Sequence, residues 1–202
     1  MNSFLASLAH YRRNQEQIPT PDHTHQAQIV ARFEALAAEG PESFEREHRG
    51  HFTGSALVAS LDLNQVLLTL HRKLGLWLQL GGHADGDTDL PGVAMRECRE
   101  ESGLQSLSFF PLRDLFEADT SATPIFDLDI HSIPARPNEP EHLHYDVRYL
   151  VLADPRDPLT ITPESKDLRW IPLSDAYGLT TEWSMHRQFN KLDWVRKNWA
   201  RA

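Results

Sequence analysis

Residues 81–104 read GGHADGDTDLPGVAMRECREESGL, six carboxylate side chains and two arginines set between apolar runs. The stretch divides at Asp89. Before it, glycines and the alternating Asp85, Asp87 and Asp89 mark a loop; after it, Leu90, Ala94 and Cys98 recur at i+4, the spacing of one helix face. A helix is expected over residues 90–102, with Asp89 at the N-cap, Pro91 in the first turn and Gly103 just beyond the C-terminus. At about 100° per residue, Glu97, Glu100 and Glu101 share a narrow face beside the apolar ridge, so Glu97 and Glu101 are expected at the border of the buried side. A carboxylate held there is costly unless it is paired, protonated or bound to a metal. Arg96 pairs most simply with Glu100 at i+4, and one guanidinium cannot neutralise three glutamates. Clustered carboxylate oxygens beside a glycine-rich loop suit Mg2+, with Mn2+ as the alternative, better than structural zinc.

These residues resemble the motif of the Nudix hydrolase family, G-x5-E-x7-R-E-U-x-E-E-x-G-U with U apolar. Gly82, Arg96, Glu97, Cys98, Glu100, Glu101, Gly103 and Leu104 fall in register with it. Thr88 stands where the family has its first glutamate, and Asp87 and Asp89 flank it as substitutes able to accept from a backbone amide. The resemblance extends more loosely from about Thr53 to Trp170. It implies an α/β/α sandwich around a mixed sheet and Mg2+-dependent hydrolysis of a phosphoanhydride bond, in a nucleoside diphosphate linked to another group or a related small molecule. It further implies Glu97, Glu100, Glu101 and the Gly82 carbonyl as metal ligands, Arg96 as the residue that orients a carboxylate, and water as the nucleophile. The general base is left unassigned. Glu164 resembles a later acidic residue that some relatives use as a ligand or base, against a plain surface-loop reading. Two alternatives stay open: a ligand-binding or sensory module that keeps the fold without the chemistry, and a diphosphate isomerase relative. The isomerase needs a cysteine in the cleft, whereas Cys98 occupies an apolar motif position.

Outward from this stretch, "SALVASLD" and "QVLLTLHR" read as a hairpin turning at Asp62-Leu63-Asn64, followed by the extended "LWLQLGG". Beyond the helix, "SLSFFPL", "PIFDLDIHSIPA", "HLHYDVRYLVLAD" and "DLRWIPLSDA" are further strands. At the N-terminal end, Phe4, Leu8 and Tyr11, then Ile29, Phe33 and Leu36, mark two helices separated by the prolines of "IPTPDHT". At the other end, Met185, Phe189, Leu192 and Val195 line one face of a last helix, whose three tryptophans add burial. The organisation expected is a helical arm at 1–48, a catalytic core at 49–180 and a packed helix at 181–202.

Period-2 alternation in "EHLHYDVRYL" sets His142, His144, Asp146 and Arg148 on one strand face, and groups Asp127, Asp129 and His131 likewise. With His83 and Asp85 from the loop, this face either lines a cleft or meets water. As a cleft it binds substrate phosphate, with Arg148 the best contact and His83, His142 and His144 nearby, or holds an extra metal. Trp77 and Trp170 are expected in the core. A net charge of −9 argues against nucleic acid or an anionic membrane as partner, so an anionic small-molecule diphosphate needs a borrowed cation. The lone Cys98 fits a reducing compartment and the expectation is cytoplasmic; a homodimer is left open.

Overall fold

The computed structural model describes residues 2–14, 17–18, 23–116, 122–136 and 140–199. The proline break expected at Pro19 and Pro21 lies outside them. Two N-terminal helices, α1 (Asn2–Asn14) and α2 (His23–Ala37), precede a hairpin of β1 (Gly50–Ser60) and β2 (Gln65–His71). Short strands β3 (Trp77–Leu78) and β4 (Leu80–His83) lead into α3 (Leu90–Ser102). Then come β5 (Ser108–Phe109), β6 (Asp127–Ile133), β7 (His142–Ala153), β8 (Ser165–Pro172), α4 (Leu173–Ala176) and α5 (Trp183–Trp199). All eight strands join one sheet centred on β1. β7 runs parallel along one edge of β1, while β4 and β2 share the other edge antiparallel. β8 and β3 pair with β2, and β6 and β5 with β7, all antiparallel. The sheet is therefore mixed, as expected.

Alternation along β1 builds the two faces. Phe52, Ala56 and Val58 join a core with α1, α2 and α3, whereas Leu57 and Ala59 join a second core with α4 and α5. Helices on both faces make an α/β/α sandwich. Gly54 points toward α3, where an added Cβ would meet the Leu90 carbonyl and Val93 Cγ1 at 2.9 Å. Glycine there lets the helix lie close on the strand.

The N-terminal helices dock through aromatic edges, Phe4 on Phe52 at 5.0 Å and Phe33 on Tyr145 at 5.3 Å between ring centroids, and Phe44 from the turn after α2 packs on Phe52 at 4.8 Å. At the other end Met185, Phe189, Leu192 and Val195 are buried, with Trp194 and Trp199 against the same core. Trp183 departs from the expected burial, because as the first residue of α5 it stands off the sheet and is exposed. Trp77 is buried and Trp170 packs partly buried against the first core. No helix among the described residues is long and apolar enough to cross a membrane.

Candidate active site

α3 spans the residues the sequence predicts, beginning at Leu90 and ending where Gly103 turns left-handed at φ 76°. Its N-terminus departs in one respect: Asp89 holds the N-cap position without a side-chain cap bond. The loop before it is fixed by backbone and aspartate instead. Asp87 Oδ1 accepts from the Asp89 amide at 2.9 Å, and the Gly86 amide donates to the Phe44 carbonyl at 2.9 Å. Arg46 Nε reaches Asp85 at 2.7 Å. Asp87 thus ties down the turn on one side of Thr88, as an acidic substitute was expected to do.

β4 brings the glycine pair against the glutamates of α3. The Gly81 amide donates to Glu101 Oε2 at 3.0 Å. A Cβ on Gly82 would fall 2.5 Å from the Glu97 carboxyl carbon, so only glycine admits that carboxylate so near the strand. Glu101 is buried, and the side chains of Glu97 and Glu100 are 17% and 63% exposed. Arg96 favours Glu97 at 3.2 Å over Glu100 at 4.0 Å, and also donates to the His83 carbonyl at 3.1 Å. It therefore clamps the half-buried Glu97 to the end of β4, where helical spacing alone suggested Glu100.

The electrostatics follow from this packing. Burial raises Glu97, against the pull of Arg96, with Glu100 and Glu164 adding to the rise. Burial likewise lifts Glu101 to about 7, against the Gly81 hydrogen bond, with Glu97, Glu164 and Glu100 raising it further. Glu164 thus belongs to the same electrostatic neighbourhood. Cys98 is wholly buried in the first core, and burial drives its thiol far above the ordinary range. A cysteine so placed does not serve the isomerase reading.

The raised carboxyl has a measurable consequence. A group whose folded pKa of about 7 exceeds its unfolded value near 4.5 gives stability that is complete below pH 4.5 and lost as pH rises through 7. In a chelator, the metal-free protein is expected to lose on the order of 3 kcal/mol between pH 4.5 and 8.5 relative to Glu101→Gln. Calorimetric unfolding of both proteins across that range checks this. Parallel stability profiles would mean that Glu101 is not desolvated.

On the other face of the sheet, the alternation read from β6 and β7 holds: Asp127, His142, Asp146 and Arg148 are buried, whereas the His131 side chain is 41% exposed. His142 and His144 meet at 3.2 Å between Nε2 atoms, His51 from β1 packs on both, and His83 at the end of β4 packs on His144. Burial, reinforced by the surrounding histidines, lowers His144 to about 2. Arg148, expected as a phosphate contact, is instead 3% exposed. Its Nε meets Asp146 at 2.7 Å, Nη1 meets Asp127 at 3.3 Å and Nη2 meets Asp129 at 3.2 Å. With its guanidinium engaged by aspartates on all sides, it does not present a phosphate contact.

A family model described as NUDIX domain matches residues 51–192. The chain belongs to the NUDIX family. Solved NUDIX structures share its fold. A NUDIX-family hydrolase from Clostridium perfringens is 26% identical, with 73% of this chain and 99% of that one covered and a TM-score of 0.53. A C. elegans Ap4A hydrolase in a binary complex is 16% identical, with 73% and 98% covered and a TM-score of 0.55. The E. coli dihydroneopterin triphosphate pyrophosphohydrolase is 16% identical, with 73% and 95% covered and a TM-score of 0.51. Among curated proteins, none matches the chain. The family match reaches past β8 into α5, farther than the sequence resemblance ending near Trp170.

The NUDIX fold brings Gly82, Arg96 and Glu97 together, holds Glu101 on the neighbouring Gly81 amide, leaves Glu100 at the exposed rim, and sets the histidine face on the opposite side of the sheet. Sequence reasoning missed His51, Arg187 and Lys191. Arg187 and Lys191 bind Asp127 at 2.9 and 2.6 Å from α5. Their i, i+4 spacing beside Gln188 and an apolar stripe was the available signal.

Proposed function

We propose that the chain is a divalent-metal-dependent hydrolase of phosphoanhydride bonds, acting on a small-molecule diphosphate such as a nucleoside diphosphate linked to another group. The observation that carries this reading is the pair of desolvated carboxylates, Glu97 and Glu101, pressed against a glycine strand that excludes any side chain. The donor set is all oxygen, which fits Mg2+ or Mn2+. Burial that raises a carboxyl's affinity for a proton equally raises its need for a bound cation.

In this reading Glu97, Glu100 and Glu101 hold the ion together with the Gly82 carbonyl. When bound, the ion neutralises phosphate oxygens and acidifies a water for attack on phosphorus. Arg96 fixes Glu97 in orientation by bonding it and the His83 carbonyl at once. Glu101 is held in its rotamer by the Gly81 amide, and Glu164 adds negative charge to the same region. The chain's net charge of −9 repels an anionic substrate, so productive binding depends on the cation held at this face. The arm at 1–48, the core at 49–180 and the helix at 181–202 are proposed as one functional unit, with the site in the core.

The test is a Mg2+ and Mn2+ activity screen over sugar nucleotides, dinucleoside polyphosphates, nucleoside triphosphates and coenzyme diphosphates. The expected result is hydrolysis of at least one class, abolished by chelator and restored by the metal. Absence of product from every class would replace this reading with that of a ligand-binding NUDIX module.

A further inference from the structure

We propose that His51, His142 and His144 form a transition-metal site, separate from the carboxylate face and suited to Zn2+. One ligand nitrogen from each of the three rings lies within 4.8 Å of the others, and two of the three residues are buried. Zn2+ bound by imidazoles at about 2.0–2.1 Å in tetrahedral geometry sets its nitrogens roughly 3.3 Å apart. The Nε2 atoms of His142 and His144 are already 3.2 Å apart. Closing the triangle to His51 requires side-chain adjustments and no change of fold.

Hydrogen bonding has set the tautomers for this task. His51 Nδ1 lies 3.0 Å from the His48 carbonyl, and His142 Nδ1 lies 2.9 Å from the Pro140 carbonyl. A carbonyl only accepts, so each Nδ1 carries the proton and each neutral ring keeps its lone pair on Nε2. That arrangement, with one ring nitrogen anchored on a backbone carbonyl and the other turned inward, is how ligating histidines are held. Because His142 carries its proton on Nδ1, the proton between the two Nε2 atoms belongs to His144. For both Nε2 lone pairs to be free for an ion, that N–H bond breaks and the proton moves to His144 Nδ1, so that each ring stays neutral.

The surroundings supply further imidazoles. His83 and His131 pack on the His144 ring at 4.9 and 5.2 Å between centroids. Neutral imidazole is the form that binds metal, and His131, 41% exposed, stands at the rim of the cluster. Nitrogen donors select Zn2+ over Mg2+, whereas the oxygen face of α3 has the opposite preference, so the two sites sort their ions by chemistry. They also lie on opposite faces of the sheet, because Gly54 faces α3 and the odd-numbered His51, Thr53 and Ser55 of β1 face away. The site joins β1 to β7 beside His83, the last residue of β4, from which the glycine loop departs.

The experiment uses the full-length Glu97→Gln/Glu101→Gln protein, in which the carboxylate face is disabled, stripped with a chelator and titrated with Zn2+ by calorimetry. One equivalent is expected to bind with a dissociation constant below about 1 µM, and Co2+ is expected to give the visible d–d absorption of a tetrahedral site. Adding His142→Ala and His144→Ala should weaken Zn2+ binding by at least about 100-fold. Unchanged affinity in that variant, or no binding tighter than tens of micromolar before it, overturns the proposal. Should the alanine variant fail to fold, X-ray absorption on the zinc-loaded parent protein decides the matter. A shell of three imidazoles supports the site, and a shell without them refutes it.

Discussion

Glu101→Gln is expected to lower metal-dependent turnover by on the order of 10²–10³-fold, and Glu97→Gln by a similar factor, with the fold intact in both. Glutamine keeps the shape and still accepts the Gly81 hydrogen bond, so what is lost is the negative charge that holds the cation. The same substitution removes a carboxylate whose burial opposes folding near pH 8, so the metal-free variant should be more stable than the parent there while being nearly inactive. Opposite movements of activity and stability separate loss of an ion ligand from simple structural damage. Glu100→Gln should behave differently in stability, because its side chain is largely exposed and has little desolvation to relieve. Steady-state rates with Mg2+ and unfolding curves in chelator check all three variants. Near-normal turnover in both Glu97→Gln and Glu101→Gln would remove the metal assignment.

What could be read from the chain beforehand follows the range of the forces involved. The helix at 90–102 was legible because its apolar ridge, its cap positions and its terminal glycine are local and agree with one another. Strand positions and the two faces of β7 were legible for the same reason, since alternation is a property of consecutive residues. The strength of Arg96 for Glu97 over Glu100 was not legible, because it depends on the His83 carbonyl arriving from β4. The fate of Arg148 was hidden in the same way: alternation placed it on a polar face, but only α5 packing over β6 and β7 shows that this face is buried and charge-balanced. His51 escaped notice because its partners stand some ninety residues away along a parallel strand pairing. Parallel pairing leaves no hairpin signal in sequence.

Asp127→Ala is expected to be the most damaging single change in the molecule. Asp127 is fully buried and accepts from Arg187 at 2.9 Å, from Lys191 at 2.6 Å and from Arg148 at 3.3 Å. Burial would raise its carboxyl, but Arg187 and Lys191 outweigh this and hold it at about 2. Together with Asp129 and Asp146 it balances three buried cations with three anions, tying α5 to β6 and β7. Lys191 extends the same net to Tyr11 of α1 at 2.7 Å, so the N-terminal helix is fastened by it too. Removing one anion leaves a cation uncompensated in a low-dielectric interior, a loss of about 3–5 kcal/mol, which is a large part of the roughly 5–15 kcal/mol that holds a typical domain folded. Urea unfolding measures this loss. Asp127→Asn combined with Lys191→Met restores charge balance and is expected to recover part of it, a coupling that a double-mutant cycle isolates. Because the Asp127 carboxyl is held below its ordinary value, its contribution is present above about pH 4 and fades as pH falls through 2. A stability change within about 0.5 kcal/mol for Asp127→Ala, the range of an ordinary surface substitution, would mean that water reaches the network and that α5 is held by its apolar face alone.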